Sequence, residues 1–197
     1  MVGSMYESGA RSRTRRAILG AAASVLSRRR DATLADIAAA AGVGRSTLQR
    51  YFPDRELLVS AVVEHSLQRL GESLKEARID EGPPLQALRR LVVAMLDVGD
   101  HVLFLYGDPR ITRAVAARGG PDPATDEIGQ LIRRGQAEGL LDAEVSGDWI
   151  EHVLWAHVSA GCTAVSGGTL PRHGASAWVI RTLENGIGAR TTCGNPD

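Results

Sequence analysis

The chain is short of lysine, cysteine and aromatic rings, and each shortage narrows what it can be. Of 23 basic residues only Lys75 is a lysine. With Ala and Gly so abundant, the preference for arginine reads as high-GC coding bias rather than function. Cys162 and Cys193 are the only cysteines; they cannot build a disulfide framework, and a reducing cytoplasm is the default location. Aromatic residues make up 4% of the chain, which argues against a ring-lined sheet platform that stacks bases. A membrane-length apolar run is also missing. Arg11, Arg13, Arg15 and Arg16 precede an apolar stretch from Ala17 to Leu26 in the manner of a signal peptide. That stretch ends in Arg28-Arg29-Arg30 without a small-residue cleavage site and is too short to span a bilayer. It reads as a buried helix, and no membrane partner is expected.

What is present suits a soluble protein of one domain or two small ones: 197 residues, 44% hydrophobic and 23% charged. The net charge of zero conceals an asymmetry. Residues 1–55 carry ten arginines against Glu7, Asp31, Asp36 and Asp54, a net of +6, and residues 56–197 carry −6. A basic head on an acidic body points to a polyanion partner for the head alone.

Apolar residues recur with period 3.6 almost throughout, and period 2 hardly occurs, so the expected class is all-α with about nine helices. The first spans about 12–27, with Ala17, Ile18, Ala21, Ala22, Val25 and Leu26 on one face. Thr33 is a good N-cap for the second, with Asp36 completing an acidic capping box; that helix stops at Gly42. A third covers roughly 45–52. Pro53 and Asp54 open a long fourth helix to about Arg78. A fifth begins at Leu85 after Glu81-Gly82-Pro83-Pro84, and its segment Leu91 to Val98, apolar almost all round, belongs at the centre of a body. Short irregular helices follow to the mobile-looking loop 119–123. Three more helices are expected over about 125–138, 148–165 and 175–187, with a frayed end from Gly188.

The segment Leu34 to Pro53 carries the functional signal. Two helices joined by a three-residue turn need a small residue at their crossing, a residue free to take positive φ at the turn, and apolar contacts. Ala38 and Gly42 fill the first two slots; Ile37, Ala41, Val43, Leu48 and Tyr51 fill the rest. A plain helical hairpin would also place Gly at a turn. The remaining face of the second helix decides between them: Arg45, Ser46, Gln49 and Arg50 stand there without an acid, whereas a merely solvated face mixes signs. Those four are the expected base-reading residues of a DNA-binding helix-turn-helix.

From Arg15 to Leu58 the chain resembles the TetR family of bacterial transcriptional regulators. The resemblance rests on Arg15-Arg16, Thr33, Ile37-Ala38, Ala41-Gly42-Val43, Thr47-Leu48, Tyr51-Phe52 and Arg55-Glu56-Leu57-Leu58. It implies a three-helix DNA-binding head over 11–56 and a helical effector-binding and dimerisation domain over 57–188, with 1–10 and 189–197 as flexible tails. It also implies that Arg15, Thr33, Thr47, Tyr51 and Arg55 grip DNA phosphates. Two departures stand out: Gln49 replaces the family's usual Tyr, and Arg29 replaces the Gly that tends to close the first helix.

The last two long helices of such proteins form a dimer interface, which here implicates Val153, Gly161, Ala164, Trp178 and Thr182. The apolar helix over Leu91 to Val98 suits the wall of a ligand cavity, with Leu91, Met95, His101, Phe104, Tyr106, His152, Trp155 and Ser159 as its lining and a neutral or cationic guest. No metal, cofactor or catalytic group is expected. His152 and His157 are five apart, which does not put them on one helix face, and no nucleophile has a recognisable base beside it. The expected protein is a cytoplasmic homodimeric repressor, not an enzyme, that binds palindromic double-stranded DNA and is released by a small apolar or amphipathic effector. The rivals are a regulator that senses nothing or answers a protein partner, and a carrier or enzyme with a vestigial head. The basic, acid-free reading face argues against the last.

Overall fold

The computed structural model describes residues 3–117 and 123–188. Among them the regular elements are ten helices: α1 (Gly3–Arg28), α2 (Leu34–Ala40), α3 (Arg45–Tyr51), α4 (Arg55–Ala77), α5 (Pro84–Asp97), α6 (Gly99–Tyr106), α7 (Pro109–Ala116), α8 (Pro123–Ala137), α9 (Gly147–Ser166) and α10 (Arg172–Ile187). Among the described residues extended pairing is limited to an isolated bridge between Leu141 and Gly188. Two of the ten, α6 and α7, fall where short irregular helices are expected. There Asp108 caps α7 by accepting from the Arg110 amide at 2.9 Å, with Pro109 in the first turn. At the other end, α10 begins three residues earlier than Ala175 because Pro171, with φ −69°, serves as its N-cap. Apart from Pro123 and Gly188, the loop expected at 119–123 and the frayed end lie outside the described residues.

The chain forms two compact units, Met1–Leu70 with Asp100–Arg118, and Gly71–Gly99 with Gly119–Asp197. The functional boundary expected after residue 56 therefore falls inside the first unit. That unit buries Ile18, Leu19, Ala22, Ala23 and Leu26 of α1. Its inward face is rotated from the expected one, since Ala17 is exposed and Ala21 and Val25 are only half-buried. Helix α1 also closes without a left-handed residue, as the sole positive φ outside glycine is at Arg78 among the described residues.

In the second unit α9 packs against α10, α8 and α5. The centre is Leu91, Val92 and Met95 of α5 with Leu154, Val158 and Cys162 of α9 and Val179 and Leu183 of α10. Helix α5 is not buried all round, because Val93 is 40% exposed. Gly161 is what lets three helices meet: a Cβ there would lie 2.6 Å from Val179 Cγ2 and 3.0 Å from Leu96 Cδ2. Gly161→Val is thus expected to destabilise this unit by roughly 1–3 kcal/mol through overpacking. A thermal melt would check it, since about 2–4 °C is lost per kcal/mol in a chain of this size; an unchanged melt would mean that α10 moves aside at little cost.

Candidate nucleic-acid interface

Helix α2 starts on a complete capping box. The Thr33 hydroxyl accepts from the Asp36 amide at 3.2 Å, and the Thr33 amide donates to Asp36 Oδ2 at 2.8 Å. The Thr33 amide and the Thr33 hydroxyl, both donating to Oδ2, and nearby Arg29 hold the Asp36 carboxyl below the usual carboxylate range. The helix ends in a Schellman turn: the Val43 amide donates to Ala38 O at 3.0 Å and the Gly42 amide to Ala39 O at 3.1 Å. Gly42 takes φ +65° with open space where a Cβ would stand, so backbone conformation and not crowding selects glycine there.

Helix α3 then divides by depth. Leu48 is fully buried, Thr47 and Tyr51 are half-buried, and Arg45, Ser46, Gln49 and Arg50 are exposed together. Two cations and two neutral hydrogen-bonding groups, with no carboxylate among them, form a surface matched to base edges and phosphates. Helix α2 packs on both α1 and α3, which fixes the mount of this short helix.

The residues expected at phosphates have further duties. The Arg15 guanidinium lies 5.6 Å from the Phe52 ring centroid, a cation–π contact at the end of α3. The Thr33 hydroxyl donates to Asp36 Oδ2 at 2.8 Å, so its proton reaches a phosphate only by leaving that carboxylate. Arg55 donates to the carbonyls of Arg30, at 2.6 Å, and of Ala32, anchoring the loop that leads into α2. The three arginines at the end of α1 also have partners inside the unit: Arg28 with Asp100 at 3.6 Å, Arg29 with Asp36 at 3.7 Å and Arg30 with the Gly107 carbonyl. The arginine contacts were not legible in the sequence, because each depends on a group of another element, whereas the Thr33–Asp36 pair is the capping box expected.

The eight residues expected around an effector are divided between the two units. Leu91 and Met95 are buried in the core of the second, where His152 is exposed and Trp155 and Ser159 are half-buried on α9. His101, Phe104 and Tyr106 belong to the first. A cavity of about 480 Å³ opens in that first unit, lined by Phe104 of the eight and otherwise by residues such as Leu26, Arg30, Arg55, Val59, Val63 and Arg110. Tyr106 is 42% exposed.

His101 stands apart from that cavity's lining. Its Nδ1 is hydrogen-bonded to the buried Ser66 hydroxyl at 2.9 Å, and its ring meets His65 edge-on at 5.4 Å. Burial, then the like charges of His65 and Arg69, push its pKa down to about 4 against the opposing pull of Asp100. The unfolded chain takes a proton near pH 6.5 and the folded one near 4, so acid favours unfolding between those values. Stability present above pH 6.5 is lost as pH falls toward 4, at up to about 1.4 kcal/mol per pH unit. His101→Asn is expected to flatten the acid decline of Tm in that window. An NMR titration that finds His101 protonated at pH 6 would contradict this.

Of the residues expected at a dimer seam, Gly161 faces its own chain, as the contacts with Val179 and Leu96 require. Val153 and Ala164 are half-buried on α9, whereas Trp178 and Thr182 are exposed on α10. Trp149 on α9 and Trp178 on α10 are 61% and 66% exposed, the largest apolar groups the second unit leaves uncovered among the described residues.

A family model described as bacterial regulatory proteins, tetR family, matches residues 18–62. Over 187 residues the chain is 40% identical to the HTH-type transcriptional repressor LfrR of Mycolicibacterium smegmatis, covering 95% of this chain and 97% of that protein. The crystal structure of LfrR from Mycobacterium smegmatis in complex with proflavine is similar at TM-score 0.72 and 39% identity, covering 90% of this chain and 98% of that one. The ketosteroid transcriptional regulator KstR2 of Mycobacterium tuberculosis shares the fold at TM-score 0.67 and 19% identity, over 89% of this chain and 95% of its own.

Proposed function

Because the chain belongs to the TetR family of bacterial regulatory proteins, we propose that it represses transcription as a homodimer on a palindromic operator and is released by a small amphipathic molecule. The observation that carries this reading is the exposed, acid-free row Arg45, Ser46, Gln49 and Arg50 on a helix seated by Leu48 and mounted on α2. Helix α3 enters the major groove. Its copy in the second protomer enters the next, with half-sites about 34–36 Å apart. The exposed rings of Trp149 and Trp178 support a dimer seam on α9 and α10. The proflavine complex of LfrR supports a flat, amphipathic guest for this relative of it. Release follows if the guest binds better to the protomer arrangement whose two heads miss the half-sites.

Sequencing of DNA fragments retained by the purified protein from a random pool tests this reading. A two-fold symmetric motif at one-turn spacing is expected. An unsymmetric motif, or no enrichment, would overturn it.

A further inference from the structure

The cavity in the first unit has a chemistry of its own. Its apolar floor includes Leu26, Val63 and Phe104, all buried, and about 480 Å³ lies within the range of small-molecule sites. Its rim is cationic. Arg30, Arg55 and Arg110 line it, and the same three arginines line an adjoining hollow of about 580 Å³, so the guanidiniums stand where the two meet. Glu56 and Asp108 are the acids of its lining, and Asp31 lines the adjoining hollow. Asp108 is already satisfied by Arg110, whose Nη2 lies 3.2 Å from Oδ2 and whose amide donates to Oδ1 at 2.9 Å. Among the described residues the hydrogen bonds of Arg30 and Arg55 go to carbonyls, those of Gly107, Ala32 and Arg30, while Arg30 also lies within electrostatic reach of Asp108. Carbonyl dipoles do not neutralise a guanidinium, Arg30 shares Asp108 with Arg110, and five N–H donors per guanidinium leave several for a guest.

We propose that this cavity binds an amphipathic carboxylate, its apolar body against Leu26, Val63 and Phe104 and its anionic end between Arg30 and Arg55. A carboxylate accepts two hydrogen bonds from one guanidinium in a matched, charge-assisted pair. A carboxylate that draws both guanidiniums toward itself pulls them from the geometry in which they hold those carbonyls. Arg55 holds the loop leading into Thr33 and α2, and Arg30 holds the turn before α7. The guest thus acts on the mount of the helix-turn-helix directly. This site shares Phe104 with the residues expected around an effector and is otherwise built from residues outside that set. Only its consequence for DNA rests on the repressor reading, because binding is measured without DNA.

Calorimetry and thermal melts of the full chain with laurate, dodecanol and dodecyltrimethylammonium, each below its micelle concentration, provide the test. Laurate is expected to bind at least tenfold tighter than either control and to raise Tm. Arg30→Gln is expected to abolish that preference, laurate then binding no tighter than dodecanol. Ser60→Trp places its bulk in the cavity from an exposed lining position, leaves the core intact and should weaken laurate at least tenfold. The proposal is overturned if the three amphiphiles bind alike, if laurate does not bind, or if its affinity survives both substitutions.

Discussion

Trp178→Arg is expected to yield a folded monomer that has lost most of its operator affinity. The side chain is 66% exposed on α10, so the change disturbs little inside the protomer. At the centre of an interface a large ring in a desolvated setting is a typical anchor, and a buried arginine without a partner is costly. With the partner gone, the second half-site no longer adds to the first, and operator affinity should fall roughly 10²–10⁴-fold, the usual gain from linking two binding events. Sedimentation would show the change in mass directly. An unchanged dimer would place the interface elsewhere.

The second large effect concerns the reading helix. Arg45→Ala removes an exposed cation from the first turn of α3 and is expected to cost roughly 1–3 kcal/mol per half-site, most of it as lost discrimination. Affinity for scrambled DNA should fall much less. Arg55→Ala should act differently. It weakens operator and scrambled DNA alike, and it lowers Tm, because the same guanidinium anchors the carbonyls of Arg30 and Ala32. Fluorescence anisotropy on both duplexes, with melts of both variants, separates the two roles. Identical behaviour of the two variants would contradict the division.

The head was largely legible in the sequence because its signals are local. Thr33 and Asp36 are three residues apart, Gly42 needs only its own φ, and Leu48 is marked by its place within one short helix. What the sequence did not show depends on partners distant along the chain. The cationic rim needs Arg30 beside Gly107 and Arg55 beside Ala32, contacts spanning 77 and 23 residues. Gly161 looked like a residue for a neighbouring subunit, yet the helices that close on it are α5 and α10 of its own chain. The cavity escaped because α1, α4, α6 and α7 each supply only part of a wall, and periodicity within any one of them reports burial, not empty space.

The central claim is that two copies of the acid-free face of α3 read one symmetric site and that a small molecule ends the reading. Its most direct measurement is a titration of the selected duplex with purified protein at physiological salt, with and without proflavine, alongside a scrambled duplex. The expected result is two protomers per duplex, at least 10³-fold preference over the scrambled sequence, and weaker binding once proflavine is added. Equal affinity for both duplexes, or one protomer per site, would contradict it.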